Sequence, residues 1–343
     1  MKVLGKVSVG DAVAVVSPSF AAPGVFPEVY ELGCQRLQDE FGLVPVAFPT
    51  TVKVGASTDE RAADLIAAFS DPNIKAVIST IGGNDQVTYI KHLPTEPFTN
   101  TPKPFFGFSD NSHFSHFLFQ LGIPSYYGGS LFTQLAEFGA IHPYTKAYLH
   151  HALLVGGEKE IVPAQEYNDI NLDWNDISLV DTQPPYEANE GWYWDGAVSA
   201  TGQLWGGCLE SIDELLRHNI TLPNRERCRE LVLMIETSEE LPSAETVFRV
   251  LRALGERGVL AAVQGVLVGR PKVWEFYNQV DATVKAEHRA AQRTAVLEAV
   301  RMYAPSIPVV QNLDFGHTNP QVPMPYGGMV RIDAVKQRIW ASF

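Results

Sequence analysis

A chain of 343 residues with 26 Lys and Arg against 39 Asp and Glu carries a formal net charge of −13, and 45% of it is hydrophobic and 19% charged. This length holds one large domain or two ordinary ones, and the composition excludes a disordered or fibrous chain. The acidic balance argues against nucleic acid as a partner, and no apolar run approaches the length of a membrane span.

Three scattered cysteines, Cys34, Cys208 and Cys228, offer neither metal-ligand spacing nor a disulfide framework. The first residues, Met1-Lys2-Val3-Leu4-Gly5-Lys6, contain no apolar signal core, so a cytoplasmic protein is expected.

The first half alternates strand and helix signals. Ala12 to Val16 is a Val/Ala run closed by Ser17-Pro18-Ser19, and Pro27 to Phe41 has helical periodicity with proline in the first turn. Leu43 to Phe48 returns to strand, and Ser57-Thr58-Asp59-Glu60 opens a helix running to about Phe69. Ile74 to Ser79 is a strand ending at Ile81-Gly82-Gly83-Asn84-Asp85. Pro104 to Phe108 is another, leading into Ser109-Asp110-Asn111-Ser112 and a helix over His113 to Leu121. This alternation predicts a parallel sheet covered on both faces.

From about Val155 to Asp195 the texture changes to acidic residues interleaved with Trp174, Tyr186, Trp192, Tyr193 and Trp194. The stretch reads as a linker plus a partly exposed loop, either a polar connector pinned by aromatics or a substrate-covering flap. Beyond it lie strand signals at Ala197 to Leu204, Leu231 to Glu236, Val263 to Val268 and Ile307 to Leu313, with helices over Ser243 to Gly258 and Asp281 to Tyr303. The expected organisation is an N-terminal domain over 1–155, a linker and loop over 156–195, and a C-terminal domain over 196–343. There is no internal repeat.

Chemistry in α/β folds collects at strand ends, and three such residues stand out: Ser109, Glu236 and His317. A serine needs a base to become nucleophilic, and a histidine base needs an acceptor to fix its tautomer. Each also has a structural alternative. Ser109 fits a helix N-cap, Glu236 an ordinary strand-end charge, and His317 a Gly-His turn. His113 and His116 are rival bases, Gly128-Gly129-Ser130 is a competing serine turn, and Glu210 and Asp314 are rival acids. Gly82-Gly83 offers backbone N–H groups unhindered by side chains, with the Asp110 N–H as a second donor toward an oxyanion. The turn Gly107-Phe108-Ser109-Asp110-Asn111 lacks the second glycine of G-x-S-x-G, which argues against the α/β-hydrolase fold. With no G-x-G-x-x-G, Walker A loop or H-E-x-x-H, no metal and no cofactor are expected.

Taken together, Val16-Ser17-Pro18-Ser19, Ile78-Ser79-Thr80-Ile81-Gly82-Gly83, Gly107-Phe108-Ser109-Asp110, Gly206-Gly207-Cys208-Leu209, Leu233-Met234-Ile235-Glu236, Gly269-Arg270 and Gly316-His317-Thr318 resemble the LD-carboxypeptidase family of serine peptidases, in this order over about residues 10 to 335. The resemblance is greater to its microcin C immunity branch, because Ile81 and Cys208 stand where murein-recycling members carry arginine and asparagine. It implies an α/β fold: a Rossmann-like parallel-sheet N-terminal domain, similar to class I glutamine amidotransferases, joined to a β-rich α/β C-terminal domain. It implies Ser109 as nucleophile, Glu236 as acid and His317 as base, with Gly83 and Asp110 at the oxyanion positions and Gly82 beside the substrate. Trp174 falls about where that branch stacks a tryptophan on a nucleobase, with Trp192 and Trp194 as rivals. A homodimer without metal, acting on a small peptide or peptidyl-nucleotide substrate, follows from the same resemblance. The alternatives are a murein tetrapeptide L,D-carboxypeptidase releasing D-alanine and a non-catalytic small-ligand-binding protein.

Overall fold

The computed structural model describes residues 1–343 and contains two sheets. The first has the spatial order Met324–Tyr326, Ser125–Tyr127, Phe105–Gly107, Ile74–Ser79, Ala12–Val16, Val44–Ala47. Its five N-terminal strands pair in parallel, and only Met324–Tyr326 runs antiparallel. The helices between the strands form where expected. The helix Thr58–Ser70 starts at a complete capping box, Ser57 accepting from the Glu60 N–H while Glu60 reaches back to the Ser57 N–H. The apolar strand Ile74–Ser79 is buried except at Lys75, as a central parallel strand must be.

The second sheet has the order Glu158–Ile161, Arg338–Ser342, Met329–Asp333, Ala200–Cys208, Leu231–Glu236, Val266–Gly269, Val309–Leu313, Tyr193–Asp195. Its four middle strands, from Ala200–Cys208 to Val309–Leu313, are parallel, and the outer ones pair antiparallel. Leu231–Glu236 is buried along its whole length, which explains its unbroken apolar run and makes the carboxylate at its end costly unless paired. The strand expected over 197–204 instead spans Ala200–Cys208, and its register sets Cys208 opposite Glu236.

Two segments cross the sequence-based divisions. The stretch 156–195 supplies both edge strands of the second sheet, Glu158–Ile161 and Tyr193–Asp195. Met324–Tyr326, from the last part of the chain, completes the first sheet. Edge pairing with a distant strand leaves only a weak local pattern, so these contacts are not visible in sequence periodicity.

The largest core spans both sheets, and two smaller ones pack around the first sheet. A cluster of 44 buried residues includes Phe108, Phe119 and Tyr127 from the first sheet and its helix together with the central strands of the second. Trp205 is fully buried, and its Nε1–H donates across the interface to His116 Nδ1 at 3.1 Å. Replacing Trp205 by Ala should therefore cost about 3–5 kcal/mol of stability, read as a lower urea midpoint, because a large side chain is removed from a packed interface. Trp205→Phe should cost less. An alanine variant as stable as the parent would contradict this account of the interface.

Candidate active site

Ser109 sits in the sharp passage from the strand Phe105–Gly107 through a 3-10 turn at Ser109–Asn111 into the helix Ser112–Gln120. Its φ is 62°, in the left-handed region that a serine occupies only at a cost of about 1–3 kcal/mol. Its hydroxyl caps no helix, since the residue before Ser112–Gln120 is Asn111 and no side-chain cap bond is made. The strain therefore serves to present Oγ rather than to satisfy the helix. A Cβ at Gly82 would lie 2.8 Å from Ser109 Cβ, so only glycine lets the Gly82-Gly83 turn pass this close to the serine. That turn is held by Asp110, whose Oδ2 accepts from Ser19 Oγ at 2.6 Å and from the N–H groups of Asp85 and Gln86 at 3.1 Å each.

From the second sheet, Glu236 ends its strand with a carboxylate that is 1% exposed. His317 Nδ1 lies 2.7 Å from Glu236 Oε2, and the Tyr127 hydroxyl donates to Glu236 Oε1 at 2.5 Å. Tyr127 in turn accepts from the Ser109 backbone N–H at 3.2 Å. One carboxylate thus connects the serine turn, through Tyr127, to the histidine. Gly316 has φ 102°, and a Cβ there would come within 2.5 Å of Glu236 Oε2, so the chain must be glycine just before His317 to reach this contact. Phe108 packs against His317 with ring centroids 4.9 Å apart.

Ser109, His317, Gly82 and Gly83 line a common cleft of 520 Å³, of the size of a small-ligand site. Trp174 lines it as well, held edge-on by Phe26 at 5.6 Å and Phe132 at 5.3 Å. The loop bearing Trp174 is anchored nearby. Buried Asp169 pairs with Lys285 at 2.6 Å and Arg289 at 2.7 Å, and Asn168 exchanges backbone hydrogen bonds with Asn319, two residues beyond His317.

The other candidates stand elsewhere. Trp192 donates its Nε1–H to Asp314 at 3.1 Å and packs with Trp194 against the large core that spans both sheets, and neither lines the cleft. Asp314 is committed to a buried pair with Arg270 at 2.9 Å, and Glu210 accepts from Ser238 Oγ at 2.7 Å. Ser130 is fully buried against Ser79, with its Oγ 3.0 Å from Ser79 Oγ. His116 is a buried structural histidine between Trp205 and the Thr221 carbonyl, and burial pushes it down to about 4. His113 Nε2 lies 2.9 Å from Glu214 across the interface, and with Asp110 this pair brings three metal-ligand atoms within 4.8 Å of one another. Cys208 is buried and its thiol is pushed well above its usual range by burial, which makes it inert as a nucleophile.

Residues 13–128 match the LD-carboxypeptidase N-terminal domain and residues 201–332 the LD-carboxypeptidase C-terminal domain. The chain belongs to the LD-carboxypeptidase family. Similar proteins include YocD of Bacillus subtilis, named as a carboxypeptidase, at 26% identity over 98% of both chains. The microcin C7 self-immunity protein MccF of Escherichia coli is 23% identical over 95% of this chain and 91% of its own. Among solved structures, an MccF-like protein from Streptococcus pneumoniae in complex with AMP superposes with TM-score 0.83 and 28% identity, covering 97% of this chain and 98% of its own. The fold is thus the mixed α/β architecture of this family, and the chain is a peptidase of that class.

Two groups near the peptidase's serine escaped the sequence reading. Tyr127 carries no local signal beyond its place at the end of the strand beside the serine's own strand. Glu239 lies in the loop after Leu231–Glu236, with Oε2 3.1 Å from His317 Nε2. His317 is therefore held between two carboxylates, and no hydrogen bond joins it to Ser109 Oγ. Burial alone would push its imidazole down, but Glu236 and then Glu239 outweigh burial and hold it up at about 10. Burial would raise Glu239, but its contact with His317 holds it at about 2. The Glu239 side chain remains 53% exposed, so solvent weakens this second contact relative to the buried one with Glu236.

A histidine raised in this way stabilises the fold fully below its unfolded value near 6.5, and the contribution is lost as pH rises through about 10. Glu239→Gln removes one of the two carboxylates. It should lower the pH at which His317 gives up its proton, followed by the imidazole signals in an NMR titration. An unchanged titration would mean that Glu239 does not hold the charge.

Proposed function

We propose that this chain is a serine hydrolase that cleaves an amide bond in a peptidyl or aminoacyl nucleotide-type substrate, as a member of the microcin C immunity branch of its family. The observation that carries the reading is the connected set of Ser109, Tyr127, Glu236 and His317 at a cleft lined by Trp174. The nucleophile comes from the N-terminal unit, 1–155, and the acid and base from the C-terminal unit, 196–343. A cytoplasmic homodimer belongs to the same reading.

In the first half-reaction Ser109 Oγ attacks the scissile carbonyl carbon and gives its proton to His317 Nε2. The negative charge that develops on the carbonyl oxygen is met by the N–H groups of Gly83 and Asp110. Glu236 holds the imidazolium through Nδ1, and His317 then passes the proton to the leaving nitrogen as the C–N bond breaks. In the second half-reaction His317 takes a proton from water as the water oxygen attacks the acyl carbon, and returns it to Ser109 Oγ as the C–Oγ bond breaks and the acid leaves. The cycle requires neutral His317 with Nε2 turned to the serine, so the contact with Glu239 has to be given up as substrate enters. Tyr127 acts at one remove: it ties the Ser109 backbone to Glu236, and so keeps the serine turn in register with the base.

A nucleotide-type leaving group is supported by Trp174, whose aromatic body faces the cleft beside Phe132, and by the AMP bound to the Streptococcus pneumoniae relative. The MccF structure, at 20% identity and TM-score 0.85, is a complex with aspartyl sulfamoyl adenosine. Other relatives carry carboxypeptidase names, including a murein peptide one from Bacillus subtilis at 26% identity.

Wild-type protein and Ser109→Ala should be assayed on an aminoacyl sulfamoyl adenosine and on a murein tetrapeptide. Ser109→Ala should lose more than about 10³-fold in kcat, and near-normal turnover would overturn the nucleophile assignment. Trp174→Ala should raise KM for the adenosine compound roughly 5- to 100-fold, the range of a lost base–aromatic stack, with little change in kcat. Release of D-alanine from the tetrapeptide without cleavage of the adenosine compound would move the activity to an L,D-carboxypeptidase.

A further inference from the structure

Ser109 does not lie at the bottom of a single cleft. It stands at a neck between two cavities, which share Gly83, Asn84, Ser109, Glu239 and Glu240 in their walls. On one side is the aromatic cleft with Trp174. On the other is a cavity of 440 Å³ whose wall carries six carboxylates, Asp110, Glu210, Asp213, Glu214, Glu239 and Glu240. Its one basic side chain, Arg217, is already paired with Asp213 at 2.5 Å. An amide substrate has two halves on opposite sides of its scissile carbonyl, so a nucleophile at a neck between cavities places one half in each.

We propose that the acidic cavity takes the acyl half of the substrate and selects an acyl group that carries a positive charge, an ammonium or a guanidinium. This rests on Ser109 being the nucleophile and on Trp174 taking the leaving half.

An acidic wall alone would be a solvated surface, but a buried atom here lacks a partner. Asp110 is 2% exposed, and while its Oδ2 accepts three hydrogen bonds, its Oδ1 has none within hydrogen-bond range. The nearest side-chain nitrogen to that oxygen is His113 Nε2 at 3.5 Å, which lies closer to Glu214 at 2.9 Å. A buried carboxylate oxygen left unpaired is costly, and an entering N–H donor removes the cost. Glu210 is pushed up by burial and by the charge of Glu236, and a cation arriving beside it favours its charged form and so gains a partner there.

The neck residue Glu239 links this recognition to the chemistry. Its carboxylate is spent on His317 Nε2 in the resting site. A cation arriving in the acidic cavity offers Glu239 a second partner, and the imidazole then keeps only Glu236. A substrate with a neutral or acidic acyl group offers no such exchange. Glu240, on the same wall and forming no ion pair, is the residue at which the preference can be reversed without touching the serine, the acid or the base.

The test uses lysyl, leucyl and glutamyl sulfamoyl adenosine, which share a leaving half and differ in acyl charge. The wild type should cleave them with kcat/KM in the order lysyl, leucyl, glutamyl, the first and last separated by at least about 10-fold. Glu240→Lys should narrow or invert that order. Binding of the same three compounds to Ser109→Ala, measured by calorimetry, should follow the same ranking. If all three are cleaved with equal or reversed preference and bind alike, the inference is overturned while the hydrolase reading stands. If none is cleaved but the lysyl compound still binds best, the hydrolase reading fails and the cationic preference stands. Failure of all three to bind overturns the inference as well.

Discussion

The site depends on one buried carboxylate. Glu236 ends a strand that is buried over its full length, and its two oxygens are taken by donors from different parts of the fold, Tyr127 at 2.5 Å and His317 at 2.7 Å. Stripped of these partners the charge would be untenable so deep in the protein. The two sheets must therefore meet in the one arrangement that delivers both donors. Tyr127 also holds the Ser109 N–H, so the same requirement fixes the strained serine turn relative to the histidine. The geometry of the site and the docking of the two sheets are aspects of a single electrostatic constraint.

That constraint explains why other residues at the interface are conformationally or sterically unusual. Ser109 takes a positive φ because the turn must direct Oγ outward while its N–H reaches Tyr127. Gly316 is glycine because anything larger would occupy the space of the Glu236 carboxylate. The seam is reinforced away from the serine by the Cys208 N–H donating to Ser112 Oγ at 3.1 Å, by Ser211 Oγ donating to the Ser109 carbonyl at 3.3 Å and by Trp205 on His116. These partners lie on the turn and helix of Ser109, so the second sheet grips the element that carries this serine.

The sequence revealed these parts unevenly. Parallel strands buried on both faces leave long apolar runs, so Ile74–Ser79 and Leu231–Glu236 were legible, and polar residues at their ends stood out against them. Ser109, Glu236 and His317 all stood out near strand ends, each with a structural alternative, and a turn serine resembles a helix cap until its φ is known. Tyr127 and Glu239 were not legible. One is placed by which strand neighbours which, the other by the path of a loop, and neither leaves a periodic trace. Composition marked Trp174, Trp192 and Trp194 alike as aromatic, yet only the first faces the cleft, because Trp192 is drawn away by Asp314. The edge strands Glu158–Ile161 and Met324–Tyr326 were missed for the same reason: their partners are far along the chain.

The placement of charge around His317 has a consequence for how such a site rests. A histidine between two carboxylates is a better cation than a base, which by itself would impede proton abstraction at neutral pH. The two carboxylates differ in kind, however. Glu236 is buried and doubly bonded, so it cannot leave without exposing an unpaired charge. Glu239 is half exposed and lies on the wall shared by both cavities, where water or a ligand can replace its partner. The permanent contact orients the imidazole, and the exchangeable one sets its charge. On the proposed reading His317 rests protonated, and the occupant of the cleft determines when the lone pair on Nε2 becomes available to Ser109.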